Sequence, residues 1–461
     1  MPHFFISAAY KSSGKTTVSL GLCAALKQRK LIVQPFKKGP DYIDPMWLGR
    51  AAGQACHNLD FNTMSDTEIK NTVSQYSQGA DISVIEGNKG LYDGLDLDGS
   101  NSNAAICKLI NAPVILVIDA RGMTRGIAPL ILGYQAFDPD VNIAGIILNK
   151  LGGRRHENKL RAVIEHYTDV PVLGAILRDE RLEISERHLG LIPSQVSVVA
   201  DQQINTIAGL IADQVDLDAI ISVAAKAKFP EIENPATAVS HKKDVRIGYT
   251  LDAAFNFYYP GDLEALEQAG ADLVPINTLK DPELPDIDGL FIGGGFPETQ
   301  MAELENNSSL RNDIRNKIES GLPTYAECGG LMYLSRSIRW NNNEHNMVGV
   351  IPGNIIMHKK PQGRGYVRLR ETGNGPWDLS NNNNNNKENI TEIPAHEFHY
   401  SSLENVPDNT TFAYEVLRGY GINGKYDGIV YKNLLASFAH LRDVASNHWT
   451  DRFVTFIRKN K

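Results

Sequence analysis

Short apolar segments alternate with amphipathic stretches over the first 190 or so residues of the chain. The apolar segments cover residues 4–9, 31–36, 82–86, 114–119, 143–149 and 172–176. Runs of this length between helical patterns are typical of buried strands in a parallel sheet covered by helices. Several of the runs end in a polar or glycine-rich turn, where an open parallel sheet places its ligand. The pattern therefore predicts an α/β fold with a site at one sheet edge.

A second alternation of the same kind begins at residue 245 and continues through segments 290–293 and 323–326. Between the two alternations, segment 197–228 has a helical pattern, and segment 229–243 is polar, contains two prolines and lacks periodicity. A chain of 461 residues also exceeds what one hydrophobic core usually supports. We therefore expect one domain over residues 1–228, a linker over 229–244 and a second domain over 245–461. The asparagine run 381–386 is interpreted as a mobile surface loop.

Composition excludes several classes of partner. The net charge of -8 argues against a nucleic-acid partner, because nucleic-acid binding depends on Lys and Arg side chains that neutralise phosphates. No segment approaches the roughly 18 consecutive apolar residues of a membrane helix, so we expect no membrane partner. The four cysteines show no CxxC spacing and no disulfide or zinc pattern, which indicates a reducing, cytoplasmic location.

The first candidate site is a phosphate-binding loop. Residues 9–16 fit the Walker pattern GxxxxGK[ST], except that Ala9 replaces the first glycine. In such a loop, backbone N–H groups at a helix N-terminus bind phosphate oxygens, Lys15 contacts the transferred group, and the Thr16 hydroxyl binds Mg²⁺. The expected ATP-binding residues are Ser12, Ser13, Gly14, Lys15, Thr16 and Thr17. The alternative is a chance Gly-Lys-Thr sequence in a turn.

Four carboxylates follow predicted strands at the same sheet edge. Glu86 ends the run 82–86, where a Walker B acid would stand, while Asp41 and Asp44 follow the next strand and Asp93 lies in a glycine-rich loop. We expect Thr16, Asp41 and Glu86 to bind Mg²⁺, and Asp44 and Asp93 to act in catalysis. The division of the three aspartates between metal and substrate stays open. Helix caps and turn formers are the alternative for each aspartate.

Two further polar residues belong to this predicted edge. Lys37 precedes the acidic loop and could hold a substrate carboxylate or the phosphoryl group, and a solvated surface lysine is the alternative. Asn149 ends another strand and carries the amide needed to read an adenine edge. Both assignments rest on position along the strands alone.

The second candidate site is a thiol. Segment 322–326 is apolar, Glu327-Cys328-Gly329-Gly330 follows, and a helical pattern comes next, so the order strand, tight turn and helix resembles a nucleophile elbow. A helix N-terminus and a nearby base favour the reactive thiolate. A buried structural cysteine is the alternative.

A histidine close in the fold must serve as the base for this thiol. His440 follows an apolar run and is the strongest candidate, whereas His396 and His399 are rivals that suit substrate contact equally well. The backbone N–H groups of Gly294 and Gly295, in a glycine-rich turn after a strand, are candidates for the oxyanion hole.

A phosphate loop and a reactive thiol on one chain indicate ATP-driven amidation with ammonia cut from a donor amide. With segments 37–45, 86–94 and 326–330 and the His440 strand in this order, the sequence closely resembles the cobyrinic (or hydrogenobyrinic) acid a,c-diamide synthase family over essentially its whole length. The resemblance implies an N-terminal P-loop synthetase domain similar to dethiobiotin synthetase and a C-terminal class I glutamine amidotransferase-like domain. It also implies that Cys328 is the glutaminase nucleophile and that His440 activates it.

The expected activity follows from this resemblance. ATP, with Mg²⁺, would phosphorylate the a and c acetate carboxylates of a cobyrinic acid-type tetrapyrrole, and ammonia from L-glutamine would displace the phosphate. The expected substrate-binding residues are Lys37, Asp41, Tyr42, His399 and Tyr400. A homodimer is left open by the sequence.

One departure from the class I pattern concerns the thiol site. Class I amidotransferases commonly carry a glutamate two positions after the histidine, whereas Arg442 stands there in this chain. We therefore expect the Cys-His pair to work without that orienting acid.

Two other functions remain open. The same chemistry could act on sirohaem or nickel sirohydrochlorin. From a different class, the chain could be a P-loop ATPase switch whose C-terminal domain only binds a partner. The signature lysine of such switches would fall at Tyr10, one position before Lys11, and a switch has no use for a reactive thiol.

Overall fold

The computed structural model describes residues 1–182, 184, 186–187, 190–191, 198–231, 241–377 and 392–461. The chain forms two compact units, Met1–Ala236 and Thr237–Lys461. Most of the linker expected over 229–244 and the whole asparagine run 381–386 lie outside the described residues, as does residue 197. Each unit is described by itself below.

Unit 1 is built around a parallel sheet with the strand order β3-β2-β4-β1-β5-β6-β7. Its strands are β1 (His3–Ala8), β2 (Val33–Lys38), β3 (His57–Leu59), β4 (Ile82–Glu86), β5 (Val114–Asp119), β6 (Ile143–Leu151) and β7 (Val172–Leu177), followed by a short hairpin of β8 (Glu186–Arg187) and β9 (Gly190–Leu191). Its helices are α1 (Lys15–Gln28), α2 (Ile43–Ala52), α3 (Asp66–Tyr76), α4 (Asn103–Leu109), α5 (Ile127–Phe137), α6 (Arg154–Tyr167), α7 (Val198–Gln214) and α8 (Leu217–Ala225).

The central strands of unit 1 are buried on both faces. Every residue of β1, β4 and β5 is buried, which explains their nearly unbroken apolar sequences. Because β1, β2 and β4 run parallel, their carboxyl ends meet at one edge, and the loops that carry the predicted phosphate and carboxylate residues leave from that edge.

Unit 2 contains a mixed sheet with the order β12-β10-β13-β15-β24-β23-β22-β19-β20. Its strands are β10 (Val245–Thr250), β11 (Phe255–Phe257), β12 (Ala271–Ile276), β13 (Gly289–Ile292), β14 (Gly294–Gly295), β15 (Thr324–Glu327), β16 (Ser337–Trp340), β17 (Asn343–Asn346), β18 (Asn354–Met357), β19 (Gly363–Glu371), β20 (Glu392–His399), β21 (Ser401–Glu404), β22 (Thr411–Arg418), β23 (Tyr426–Tyr431) and β24 (Leu434–Ser437). Its helices are α9 (Pro260–Gln268), α10 (Met301–Asn306), α11 (Ser308–Glu319), α12 (Gly329–Leu334) and α13 (Trp449–Asn460).

The first five strands of that order are parallel and the remaining pairings are antiparallel. Strands β15 and β24 are parallel neighbours at the centre, so the residues that follow them emerge side by side. β11 pairs with β14, and β17, β16, β18 and β21 form a separate small sheet. Within the described ranges, every helix is too short or too polar to span a bilayer. Both units therefore have the predicted α/β class.

Candidate active site

The phosphate loop of unit 1 joins β1 to α1 and is shaped by its glycine. Gly14 has φ of 86°, in the left-handed region, and a Cβ atom there would lie 2.1 Å from Nδ2 of Asn149. Only glycine fits this backbone without displacing Asn149. The helix that starts at Lys15 then directs its free N–H groups toward the loop, which is the geometry that binds phosphate.

Asn149 supports the loop from β6. Its buried side-chain amide donates a hydrogen bond of 2.8 Å to the carbonyl oxygen of Ser13, and its Oδ1 accepts from the backbone N–H of Lys150 at 2.9 Å. Lys150 in turn donates from Nζ to the carbonyl of Ser12 at 2.8 Å. One amide hydrogen of Asn149 is therefore used to hold the loop, and its adenine contact stays a prediction.

Two hydroxyl groups of the loop donate hydrogen bonds to backbone carbonyl groups. Ser13 Oγ donates to the carbonyl of Tyr10 at 2.7 Å, and Thr17 Oγ1 donates to the carbonyl of Leu182 at 3.4 Å. Ser12 has φ of 65°, an unusual value for a residue other than glycine. These contacts fix the backbone of the loop.

Two of the predicted carboxylates meet Thr16 directly. Thr16 Oγ1 donates to Glu86 Oε1 at 2.9 Å and lies 3.4 Å from Asp44 Oδ2. Lys37 Nζ bridges the same two carboxylates, at 2.5 Å from Asp44 Oδ2 and 2.6 Å from Glu86 Oε1. Lys37 is buried, so the surface-lysine alternative is wrong.

Charges at this cluster are strongly coupled. Burial opposes the charged form of Lys37, but Asp44 and Glu86 outweigh it and raise the pKa of Lys37 well above its ordinary value. Burial would also raise the pKa of Asp44, but Lys37 lowers it below the ordinary value. For Lys15, whose Nζ lies 3.8 Å from Glu86, burial is the largest cause and the pKa is lowered.

Asp41, Tyr42 and Asp93 lie at this edge with different contacts. Oδ1 of Asp41 accepts the backbone N–H groups of Ile43 and Asp44 at 2.9 and 3.2 Å, so it caps α2, while Oδ2 lies 3.8 Å from Lys37. Burial and the neighbouring Asp44 raise the pKa of Asp41 to about 7. Tyr42 is buried at the start of α2. Asp93 Oδ2 accepts the backbone N–H of Gly90 at 2.9 Å, the contact of a turn former.

The donor set around Thr16 fits Mg²⁺. Glu86 Oε2 is buried and has no hydrogen-bond partner among the residues that the structure describes. This oxygen, Asp44 Oδ2 and the Thr16 hydroxyl are all hard oxygen donors, which Mg²⁺ prefers. In the described part of the chain no group of three His, Cys, Asp or Glu side chains is arranged to hold a metal. A site with few protein ligands is nevertheless usual for Mg²⁺, which keeps waters and binds substrate phosphates.

In unit 2, Cys328 occupies a strained turn between β15 and α12. Its backbone has φ of 47° and ψ of -100°, and its N–H donates to the carbonyl of Ser437 at 2.7 Å. A residue other than glycine with such a φ costs about 1–3 kcal/mol and is typically found where function requires it. The strand-turn-helix geometry is that of a nucleophile elbow.

His440 lies beside this thiol, three residues after the end of β24. The two side chains form a hydrogen bond, and His440 Nδ1 lies 3.3 Å from Oε2 of Glu327. All three residues are buried. Burial alone would lower the pKa of His440, but the hydrogen bonds and charges of Cys328 and Glu327 raise it to about 10.

The two rival histidines occupy other positions. The ring of His396 stacks on that of His440 with centroids 4.9 Å apart, and burial, His440 and Arg442 hold the pKa of His396 well below its ordinary value. His399 is buried against Phe438, with ring centroids 4.0 Å apart, and its Nδ1 lies 2.8 Å from the carbonyl oxygen of Ser401. Tyr400 is half-buried next to it, and its carbonyl accepts the backbone N–H of His358 at 2.7 Å. Substrate contact by His399 and Tyr400 stays a prediction.

Gly294 and Gly295 pass close to the thiol site. A Cβ atom at Gly294 would lie 2.6 Å from Cε1 of His440, and one at Gly329 would lie 2.9 Å from the backbone nitrogen of Gly295. The chain at β14 is therefore in contact with both the base and the residue after the nucleophile. This closeness is the requirement for a backbone N–H to reach an oxyanion formed at Cys328.

Arg442 stands two positions after His440, and the expectation that the Cys-His pair works without a glutamate at that position stays a prediction. The carboxylate that lies beside the His440 ring is that of Glu327, which comes from the strand of the nucleophile. Arg442, at that position, places its guanidinium 4.9 Å from the ring centroid of Tyr259. The signal in the sequence was an acidic residue next to the nucleophile at the end of a buried strand.

Comparison with known proteins agrees with the candidate site of each unit. Residues 6–192 match the family model of the CobQ/CobB/MinD/ParA nucleotide binding domain, and residues 246–447 match that of the CobB/CobQ-like glutamine amidotransferase domain. The chain is 44% identical to a cobyrinate a,c-diamide synthase of Magnetococcus marinus, over 100% of this chain and 98% of the relative. It is 43% identical to one of Methanosarcina acetivorans, over 96% and 93%, and 40% identical to one of Methanosarcina barkeri, over 99% and 96%.

The chain belongs to the cobyrinate a,c-diamide synthase family. Membership confirms the predicted resemblance and the fold class of both domains. It also confirms the prediction of an ATP-binding carbon–nitrogen ligase with glutamine as its nitrogen donor.

Proposed function

We propose that this enzyme amidates the a and c acetate carboxylates of a cobyrinic acid-type tetrapyrrole, using ATP and L-glutamine. The observation that carries the proposal is the buried contact of Cys328 with His440 in a chain whose other unit presents a phosphate loop. Relatives named cobyrinate a,c-diamide synthase, aligned over nearly their full length, support the choice of acceptor.

The glutaminase half of the reaction takes place at Cys328. The thiolate sulfur attacks the carboxamide carbon of glutamine, and the oxygen takes up negative charge beside the backbone N–H of Gly295. The C–N bond then breaks as the His440 imidazolium gives its proton to the leaving nitrogen, so ammonia departs and a glutamyl thioester remains. Water, deprotonated by the now neutral His440, hydrolyses the thioester to glutamate and restores the thiolate.

The synthetase half activates the acceptor. A carboxylate oxygen of the tetrapyrrole attacks the γ-phosphorus of ATP, ADP leaves, and an acyl phosphate forms. Ammonia attacks the acyl carbon, phosphate leaves with the C–O bond electrons, and a proton is lost to give the amide. Phosphorylation thus converts a carboxylate oxygen, which is a poor leaving group, into phosphate, which is a good one.

Residues of unit 1 have distinct roles in this scheme. The backbone N–H groups from Ser12 to Thr17 bind the phosphates, and Lys15 neutralises charge on the transferred group. Thr16, Asp44 and Glu86 would hold Mg²⁺, which would supply positive charge that neutralises the transferred phosphoryl group. Asp41, whose Oδ2 lies 3.8 Å from Lys37, would contact the acceptor.

The test of the proposal is the variant Cys328→Ala in the full chain. It should abolish glutamine-dependent amidation and spare amidation with added ammonium salt, because only the ammonia source is removed. Cys107→Ala, which changes another buried cysteine, is the control and should keep both activities. Loss of both activities in a folded Cys328→Ala protein would contradict the proposal that Cys328 serves only to release ammonia from glutamine.

The acceptor is identified by mass spectrometry. Cobyrinic acid, sirohaem and nickel sirohydrochlorin are each incubated with enzyme, ATP, Mg²⁺ and glutamine, and the mass of every product is measured. A doubly amidated cobyrinic acid is the expected product. Faster amidation of either sirohydrochlorin derivative would overturn the choice of acceptor and leave the chemistry intact.

A further inference from the structure

Glu327 is held in one orientation by contacts at both oxygens of its carboxylate. Its Oε1 accepts the Tyr325 hydroxyl at 2.6 Å and the backbone N–H of Leu441 at 2.9 Å. The other oxygen, Oε2, lies 3.3 Å from Nδ1 of His440. Because one carboxylate oxygen is bonded to the residue after His440 and the other faces the ring itself, Glu327 fixes both the backbone and the side chain of the histidine.

This contact determines where the protons of His440 lie. An ionised carboxylate only accepts hydrogen bonds, so Nδ1 of the ring must carry the hydrogen between them. The remaining ring nitrogen is then the one that faces Cys328, with a lone pair when the ring is neutral and a proton when it is charged. A general base for the thiol needs this arrangement.

Charged and titratable groups around His440 act in opposite directions. Cys328 and Glu327 favour the imidazolium. Burial, His440 and Arg442 lower the pKa of His396, whose ring stacks on that of His440, so positive charges in this region oppose one another. Among the described residues, Glu327 is the carboxylate in contact with the ring. Without the charge of Glu327, Cys328 would be left to favour the imidazolium against the effect of burial.

We propose that Glu327 is the positioning residue of the glutaminase, taking the place of the glutamate that Arg442 replaces two positions after the histidine. The proposal rests on the proposed glutaminase function for its kinetic consequence, and its structural content is independent of it. Tyr325 supports Glu327 in this role, since its hydroxyl donates to the carboxylate oxygen that also accepts from Leu441.

The variant Glu327→Gln tests the charge without changing the shape. Its amide oxygen can still accept from Leu441, but an amide nitrogen can face Nδ1 and favour the wrong tautomer. The kcat for glutamine hydrolysis should fall by roughly 10²–10⁴-fold, with little change in KM, as expected when an orienting carboxylate is lost. The basic limb of the pH profile should move to lower pH, because a negative charge that favours the imidazolium is gone. Amidation with ammonium salt should remain.

Two variants and one spectroscopic measurement separate positioning from stability. Tyr325→Phe removes a buried hydrogen bond of the same carboxylate but keeps its charge, so it should lower the melting temperature and leave the basic limb in place. Glu327→Asp restores the charge and should recover part of kcat. In the full chain labelled at histidine with ¹⁵N and ¹³C, the His440 signals, assigned with His440→Gln, should report hydrogen on Nδ1 and a pKa that falls in Glu327→Gln.

The outcomes are distinguishable. A kcat within about twofold of wild type, or a lowered kcat with an unmoved basic limb and an unchanged His440 titration, would overturn the role of Glu327. Absence of glutamate release by the wild-type enzyme would instead contradict the proposed function, and the histidine spectra would still test the contact.

Discussion

Gly294 lies against His440 so closely that a Cβ atom at position 294 would be 2.6 Å from Cε1 of the imidazole ring. This distance is shorter than any normal contact, so a side chain at this position must displace the ring. The orientation of His440 is therefore determined from two sides, by the carboxylate of Glu327 at Nδ1 and by the backbone of Gly294 at Cε1.

The variant Gly294→Ala should disable the glutaminase. A displacement of His440 by about 1 Å away from Cys328 would lower kcat for glutamine hydrolysis by roughly a hundredfold. Amidation with ammonium salt should be unchanged, since unit 1 is untouched. The matched control is Gly261→Ala in α9, where a Cβ atom meets no atom within 4 Å. Equal glutaminase rates for the two variants would contradict this account of Gly294.

Removal of the buried cation at Lys37 should destabilise unit 1. In Lys37→Met, Asp44 and Glu86 lose the ammonium group that both contact, and breaking a buried ion pair from one side costs about 3–5 kcal/mol. Thermal unfolding measures the loss, and added MgCl₂ should restore part of it, because the same oxygens can then bind the metal. Lys11→Met, which changes an exposed lysine of the phosphate loop, is the control. A melting temperature equal to that of the control would show that Lys37 is dispensable.

Loss of the Asn149 amide should weaken nucleotide binding. Asn149→Ala leaves the Ser13 carbonyl without its buried donor, which destabilises the binding conformation of the loop by about 1–3 kcal/mol. Calorimetric titration with ADP and Mg²⁺ should give a dissociation constant raised about tenfold or more. Asn142→Ala, at an exposed position just before β6, should bind as wild type does. Unchanged affinity in Asn149→Ala would mean that the loop keeps its shape without this hydrogen bond.

The stability of unit 2 should depend on pH through His440. Burial would lower its pKa, but Cys328 and Glu327 raise it from 6.5 to about 10, so the folded state binds the proton more tightly than the unfolded state. The resulting stabilisation is complete below pH 6.5 and is lost as the pH rises through 10.

Urea unfolding between pH 6 and pH 10 checks this dependence. Three of the four tryptophans, Trp340, Trp377 and Trp449, lie in unit 2 and report its unfolding by fluorescence. The free energy of unfolding should fall by up to about 1.4 kcal/mol per pH unit from this one proton. In His440→Gln the curve should be flatter, and parallel curves for the two proteins would contradict the raised pKa.

Strands buried on both faces were predicted well because their apolar runs are nearly unbroken. β4 and β5 begin and end where the pattern places them. β2 was predicted to end at Phe36, but it continues through Lys37 and Lys38. Their amino groups are buried against Asp44 and Glu86, and against the carbonyl of Asn101, respectively. A hydrophobicity pattern cannot show that a lysine will be neutralised by residues distant in the sequence.

The helix predicted over 197–228 is interrupted for a similar reason. Val215 pairs with Gly174 of β7, and Asp216 then caps α8 by accepting the N–H of Ala219. The capping aspartate was visible in the sequence, but the contact with a strand some forty residues earlier was not. The tertiary contact between Val215 and Gly174 therefore determines where α7 ends.

The same difference between local sequence signals and distant contacts applies to the candidate sites. Cys328, His440 and the Lys15 loop could be singled out from the sequence because each has a local signature, whereas Glu327 was not singled out because successive strand residues usually point to opposite faces. The strained backbone at Cys328 changes that expectation. The roles of Asp93, Tyr42 and Tyr400 and the homodimer stay predictions.

The left-handed backbone at Cys328 also has a consequence for laboratory evolution. Glycine is the residue that accepts φ of 47° and ψ of -100° at the lowest conformational energy, so Cys328→Gly should melt at a higher temperature than Cys328→Ala. Selection for heat resistance alone would then favour replacement of Cys328 by glycine, with loss of the thiol. Any thermostable descendant of this enzyme therefore has to be screened for glutamine use in every round.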